Sequence, residues 1–259
     1  MNQKKIEASI KRLQTFEPPE GYWLAFSGGK DSVVIKALAD MANVKYEAHY
    51  NVTSVDPPEL VKFIKDEFPD VAMDKRYDKD GKQITMWNLI PRKKMPPTRI
   101  VRYCCSELKE YSATGRFLIT GVRKAESTRR KMRGGVEFGN NKRKREQADP
   151  DNPDQEMIHI CMQKRHRVLN PIIDWTDDDV WDFIHDNNLP YCKLYDEGFD
   201  RMGCIGCPMA SRRRRSEFDR WPTYYRAYIR AFDKMLVERE SWLADRLEKR
   251  SGGYGLVLE

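Results

Sequence analysis

Apolar positions in this chain alternate between helical spacing and short uninterrupted runs, the pattern of helices packed on buried strands. Ile6, Ile10 and Leu13 predict a helix over 3–15, broken by Glu17-Pro18-Pro19-Glu20-Gly21. Tyr22-Trp23-Leu24-Ala25-Phe26 then reads as a buried strand. Val33, Val34, Ile35, Leu38 and Met41 predict a helix on a sheet, and Lys45 to Tyr50 alternates as a second strand, which opens a βαβ unit. Pro57-Pro58 starts another helix through Leu60, Val61, Phe63 and Ile64. Further strands are predicted at 71–73, 117–122 and 157–161, with a long mobile loop over 133–155. Thr176 with Asp179 three residues on marks the start of a helix through Val180, Trp181, Phe183 and Ile184. Tyr225, Ile229, Phe232, Leu236, Leu243 and Leu247 predict a long C-terminal helix on the core or on a partner subunit. Together these elements predict an α/β fold: a doubly wound, mostly parallel sheet with a helical C-terminal extension.

Composition supports a folded chain. At 259 residues and 40% hydrophobic, it can bury one substantial core. No apolar run approaches membrane-spanning length and no leader pattern opens the sequence, so a cytoplasmic protein without a membrane partner is expected. Forty-seven Lys and Arg against 40 Asp and Glu favour an anionic partner. The excess is clustered: residues 121–148 hold ten basic and three acidic side chains, and Arg212 to Arg215 form a second run. Solvated loop and nucleic-acid contact account equally well for such runs.

The candidate chemistry starts in the turn after the first strand. In Ser27-Gly28-Gly29-Lys30-Asp31-Ser32, glycines before a helix let backbone N–H groups surround a phosphate at a positive helix end. Lys30 can neutralise phosphate charge, Ser27 and Ser32 can donate hydrogen bonds, and Asp31 can hold the Mg²⁺ of a triphosphate. A purely structural Gly-rich turn would leave the Lys-Asp pair and its serines without a purpose. Six cysteines without a leader favour reduced thiols. Cys204 and Cys207 are spaced to present two sulfurs from one turn, and the vicinal Cys104-Cys105 pair completes a set of four thiolates. Spacing alone fits either zinc or a [4Fe–4S] cluster. Cys161 and Cys192 stand alone and suit packing as small hydrophobes.

The hexapeptide resembles the pyrophosphate loop of the N-type ATP pyrophosphatase superfamily and is not a Walker A pattern. The cysteine set, Pro171 to Trp181, Leu189-Pro190-Tyr191, Leu194 to Phe199 and Gly203-Cys204 resemble the phosphoadenosine phosphosulfate reductase family over roughly 20–210. That resemblance implies an adenine nucleotide alpha-hydrolase-like fold and a [4Fe–4S] cluster on Cys104, Cys105, Cys204 and Cys207. It places Gly121 to Arg130 as an arginine-bearing loop that grips the nucleotide, with Arg123 and Arg130 as phosphate clamps and Glu126 beside them. Lys30, Asp31 and Arg123 become the expected catalytic residues.

The resemblance has two departures. Sulfonucleotide reductases generally lack the Lys-Asp pair of this loop, and they use a cysteine in a Glu-Cys-Gly-aliphatic-His motif, whereas no cysteine follows Cys207 here. ATP is therefore the expected nucleotide, with Mg²⁺. The expected activity is adenylation of an acceptor for sulfur transfer, as in similar DNA-phosphorothioation proteins, with DNA or RNA as acceptor and a sulfur or electron donor protein as partner. The alternatives are an adenylyl-sulfate or phosphoadenylyl-sulfate reductase, taking a sulfonucleotide, and a non-catalytic nucleotide- or nucleic-acid-binding module. The expected organisation is a nucleotide-binding α/β domain with its iron–sulfur site over 1–210 and a basic helical extension over 211–259, packed on it, with homo-oligomerisation open to the long helix.

Overall fold

A computed structural model describes residues 3–141 and 144–251. Lys142, Arg143 and the tail from Gly252 lie outside the described residues, as do the side chains of Arg212 and Leu247. In chain order the elements are α1 (Gln3–Thr15), β1 (Tyr22–Ala25), α2 (Lys30–Ala42), β2 (Tyr46–Asn51), α3 (Pro58–Glu67) and β3 (Ala72–Asp74). Then come α4 (Met86–Lys93), α5 (Tyr103–Leu108), β4 (Phe117–Ile119), β5 (Val136–Asn141), β6 (Lys144–Ala148) and α6 (Gln155–Gln163). The last are β7 (His166–Leu169), α7 (Asp177–Asp186), α8 (Arg214–Arg220) and α9 (Pro222–Ser251).

The described residues fall into two compact units that interleave along the chain. One draws on Met1–Asn51, Pro57–Asp74 and Tyr111–Gly203, the other on Val52–Asp56, Lys75–Glu110 and Cys204–Glu259. The division thus differs from a single cut at residue 210, because the segment carrying Cys104-Cys105 folds with the C-terminal helices.

The first unit is built on a sheet in the order β3-β2-β1-β4-β7-β5-β6. β3, β2, β1, β4 and β7 run parallel, with Leu24 of β1 in register with Ala48 on one side and Ile119 on the other. Leu24, Phe117, Ile119 and Leu169 share one face of the sheet by register and are fully buried. α1 packs on α2, and α2 on α7. From β1 the chain builds outward through β2 to β3, then returns to place β4 on β1's other side. The carboxyl end of β1 is therefore the switch point where open α/β sheets leave a crevice for ligands, and residues 27–32 start there.

Two expectations are corrected. Residues 157–161 are not a strand but the middle of α6, whose N-cap Asp154 accepts a hydrogen bond from Met157 N at 2.6 Å; the cap outweighs the β-branched run, and the strand expected there forms instead at β7. Residues 133–155 are not a featureless loop. They include β5, antiparallel to β7, and β6, antiparallel to β5, anchored by buried Val136 and Phe138. Buried Glu137 accepts from Arg133 and Arg145, so part of the basic run is spent on one carboxylate.

In the second unit α4 packs along α9. Val55, Met86, Ile90, Tyr228, Ala231 and Met235 form its core. Thr85 and Asn88 close a reciprocal capping box at the start of α4, which offsets the helix-breaking Pro91 near its end. No described helix is long and apolar enough to cross a membrane.

Candidate functional site

The turn between β1 and α2 needs its glycines. Gly28 sits at φ +71°, and a Cβ there would lie 2.7 Å from Ile64 Cδ1. Gly29 caps α2 without any side-chain bond, and the first helix amide, Lys30 N, donates to Tyr195 Oη at 2.9 Å. Ser32 Oγ donates to Gly29 O at 2.7 Å and lies 3.3 Å from Ser27 Oγ, which ties the two serines into the turn. The loop thus places a tight glycine turn at a positive helix end, the setting that favours an anionic group.

Charged side chains meet behind it. Arg123 follows β4 and is only 2% exposed. Its Nε donates to Asp31 Oδ1 at 2.6 Å and its terminal nitrogen to Asp177 Oδ1 at 2.7 Å. Asp177, the first residue of α7, also lies 3.3 Å from Lys30 Nζ. Lys30 is itself buried and rests beside the rings of Tyr195 and Trp181. The result is an alternating chain of two cations and two carboxylates, Lys30, Asp177, Arg123 and Asp31. Burial lifts the Asp31 carboxyl above its ordinary range against the pull of Arg123 and Lys30. Desolvation acts on Asp177 too, but the hydrogen bond from Arg123 and the charge of Lys30 hold it below its ordinary value.

Arg123 is therefore placed differently from a clamp open to solvent: its guanidinium is committed to the two carboxylates. Glu126 accepts from Arg123 N at 3.0 Å and pairs with Arg130, so Arg130 too is held by a carboxylate of its own turn.

All four expected thiolate ligands belong to the second unit. Cys104 and Cys204 pack against the same core cluster, around Tyr228 and Met235. The Cys204-Ile205-Gly206-Cys207 turn is fixed by Ile205 N donating to Val55 O at 2.8 Å, by Tyr228 Oη donating to Ile205 O at 3.0 Å and by Gly206 N donating to Glu217 Oε2 at 2.9 Å. Gly206 stands at φ +70°, where a Cβ would strike the Phe218 ring at 2.6 Å.

Cations offset the sulfur charge in this unit. Arg102 donates to Cys105 Sγ at 3.2 Å. The hydrogen bond from Cys104, with that from Arg102, brings the Cys105 thiol down to about 5, while Cys104, as the donor to Cys105, is pushed up. Burial raises Cys204 against the attraction of Lys109, whose exposed stem turns its ammonium toward that sulfur. Among the described residues no three His, Cys, Asp or Glu side chains converge as a set for a single metal ion. The donor chemistry nevertheless suits a thiolate-ligated group: four neighbouring sulfurs, one of them a ready thiolate, with two cations to balance an anionic centre. Cys161 and Cys192 are fully buried, and desolvation pushes Cys161 up to about 11, as expected of inert packing thiols.

A mostly parallel sheet whose central strand runs into a Gly-Gly-Lys-Asp turn, backed by an arginine from the next strand inward, defines an α/β domain of the pyrophosphate-loop type. The chain belongs to the phosphoadenosine phosphosulfate reductase domain family, whose model matches residues 21–210. An uncharacterized protein of Methanocaldococcus jannaschii is 30% identical over 223 residues, which are 80% of this chain and 47% of that protein. An adenosine 5'-phosphosulfate reductase of Oceanobacillus iheyensis is 60% identical over 37 residues, 14% of this chain and 15% of the relative. The chain thus spans less than half the length of these relatives. The crystal structure of phosphoadenylyl-sulfate reductase from Candida auris, in a phosphate complex, shares the fold at a TM-score of 0.51 and 13% identity, covering 80% of this chain and 97% of that one.

Asp177, Tyr195 and Lys109 were not singled out by sequence. Asp177 had a signal, since it directly follows the helix cap Thr176, where a carboxylate is expected to face a cation or the helix dipole.

Proposed function

We propose that this chain uses ATP at residues 27–32 to activate an acceptor by adenylation for sulfur transfer. The observation that carries this reading is the placing of Lys30 and Asp31 together at the start of α2, with Asp31 held by buried Arg123. In that reaction the acceptor's nucleophilic atom bonds to the α-phosphorus and the bond to the bridging β-oxygen breaks. Pyrophosphate leaves with the bond's electron pair. Lys30 and the helix end stabilise its charge, and Asp31 would hold the accompanying Mg²⁺. Cys104, Cys105, Cys204 and Cys207 would hold a [4Fe–4S] cluster, which when bound supplies sulfur or electron chemistry.

Charge supports a polyanionic acceptor. The cysteine-bearing unit holds 22 Lys and Arg against 13 Asp and Glu, whereas the sheet-bearing unit holds 25 against 27. The whole positive excess of the chain lies on the former, which favours DNA or RNA.

Anaerobically prepared protein given ATP, Mg²⁺ and sulfide, with single-stranded DNA or RNA in turn, is expected to release pyrophosphate. Asp31→Asn should slow that release at least about a hundred-fold. No pyrophosphate with any acceptor removes the reading. A second reading, favoured by the identity to an adenosine 5'-phosphosulfate reductase, is reduction of a sulfonucleotide, and sulfite release from adenylyl sulfate with thioredoxin would put it in first place.

A further inference from the structure

Protein groups already occupy the donors that a phosphate would use at the start of α2. Lys30 N donates to Tyr195 Oη at 2.9 Å. Lys30 Nζ lies 3.3 Å from Asp177 Oδ1 and donates to Asp200 O at 3.4 Å. Tyr195 Oη comes within 3.4 Å of where a Cβ on Gly29 would stand, directly over the glycine turn. A hydroxyl, a carboxylate and a carbonyl oxygen therefore surround the loop much as three phosphate oxygens would.

We infer that Tyr195 and Asp177 set the affinity of this loop by standing in for a nucleotide phosphate, the hydroxyl on the helix amide and the carboxylate on Lys30, so that binding is an exchange of oxygens. The inference rests on the nucleotide reading above. The exchange runs toward the nucleotide for an electrostatic reason. Tyr195 offers the positive helix end a neutral oxygen, whereas a phosphate brings full charge, and hydrogen bonds are otherwise traded one for one. The Tyr195 ring would keep its place as a wall, being 5.0 Å from the Trp181 ring in an edge contact and 5.6 Å from Lys30 Nζ. Burial also keeps the Tyr195 hydroxyl protonated well above its ordinary range, so it stays the weaker competitor at neutral pH.

Calorimetric titration with MgATP and with pyrophosphate tests this on the full chain. Tyr195→Phe keeps the ring and removes the competing oxygen; it should tighten both ligands about two- to ten-fold, the range of one net hydrogen bond. Asp177→Asn keeps an acceptor for Arg123 but removes the competing charge, and should tighten them similarly. MgATP should also shift the emission of Trp181 as the hydroxyl moves, a shift absent from Trp181→Phe. Equal or weaker binding by Tyr195→Phe, with the wild type binding normally, overturns the inference alone. Absence of binding to the wild type overturns the nucleotide reading and this inference together. Should Tyr195→Phe fail to fold, an unchanged Trp181 emission in the wild type on MgATP binding overturns it.

Discussion

Arg123→Ala should cost the folded protein about 3–5 kcal/mol, the usual consequence of removing one partner from a buried ionic set. The guanidinium is 2% exposed and satisfies Asp31 and Asp177 at 2.6 and 2.7 Å. Truncation leaves a cavity and strands Asp31, whose carboxylate burial already disfavours. Arg123→Lys keeps the charge but offers a single nitrogen to two carboxylates, so it should recover only part of the loss. Urea denaturation reads both values. Asp31→Asn should behave in the opposite sense. Because burial raises the folded pKa of Asp31, its stabilising contribution is fully present below the ordinary carboxylate value of about 3.9 and is lost as pH rises through the folded value. The neutral amide removes that loss, so at neutral pH Asp31→Asn should match or exceed the wild type in stability while losing turnover. An Arg123→Ala protein as stable as the wild type would mean that the Asp31 and Asp177 carboxylates find other partners.

Cys105→Ser should abolish the iron–sulfur centre proposed above. The anaerobically prepared protein is expected to carry about four iron and four sulfide per chain with a broad visible absorption, as a four-thiolate cluster requires. Cys105 bears the lowered thiol, held by Cys104 and Arg102; serine, whose hydroxyl does not ionise in this range, leaves the set one ligand short. Cys161→Ala and Cys192→Ala remove fully buried thiols and should leave the iron and sulfide counts unchanged. Stoichiometric zinc with no sulfide in the wild type would contradict the cluster.

Much of the sheet was legible because its central strand β1 reads as a short apolar run between helical patterns and β2 alternates buried with more exposed positions. The Ser-Gly-Gly-Lys-Asp-Ser turn announced itself through glycines placed between such a run and a helix. Where legibility failed, the deciding interaction was tertiary or lay in a single cap. Met157 to Cys161 looks extended until Asp154 is recognised as an N-cap. The β5–β6 hairpin hides in a basic, turn-rich stretch because its edge strand β6 is mostly solvated, with Ala148 its one buried residue. α4 and α5 were not anticipated: Pro91 argues against a helix, and the Thr85–Asn88 box that outweighs it lacks the usual Glu or Gln. For the site, residue type revealed Lys30, Asp31 and the cysteines, but the partners of Arg123 depend on which strand end meets which helix start. Asp177 and Tyr195 enter through packing across the sheet's carboxyl end, which spacing along one chain does not encode.

The central claim, that the loop at residues 27–32 serves ATP cleavage between the α and β phosphates, is tested most directly by the products. With radiolabelled ATP, Mg²⁺ and an acceptor, the account predicts pyrophosphate together with an equal amount of adenylate, free or on the acceptor. ADP and inorganic phosphate as the products would contradict it.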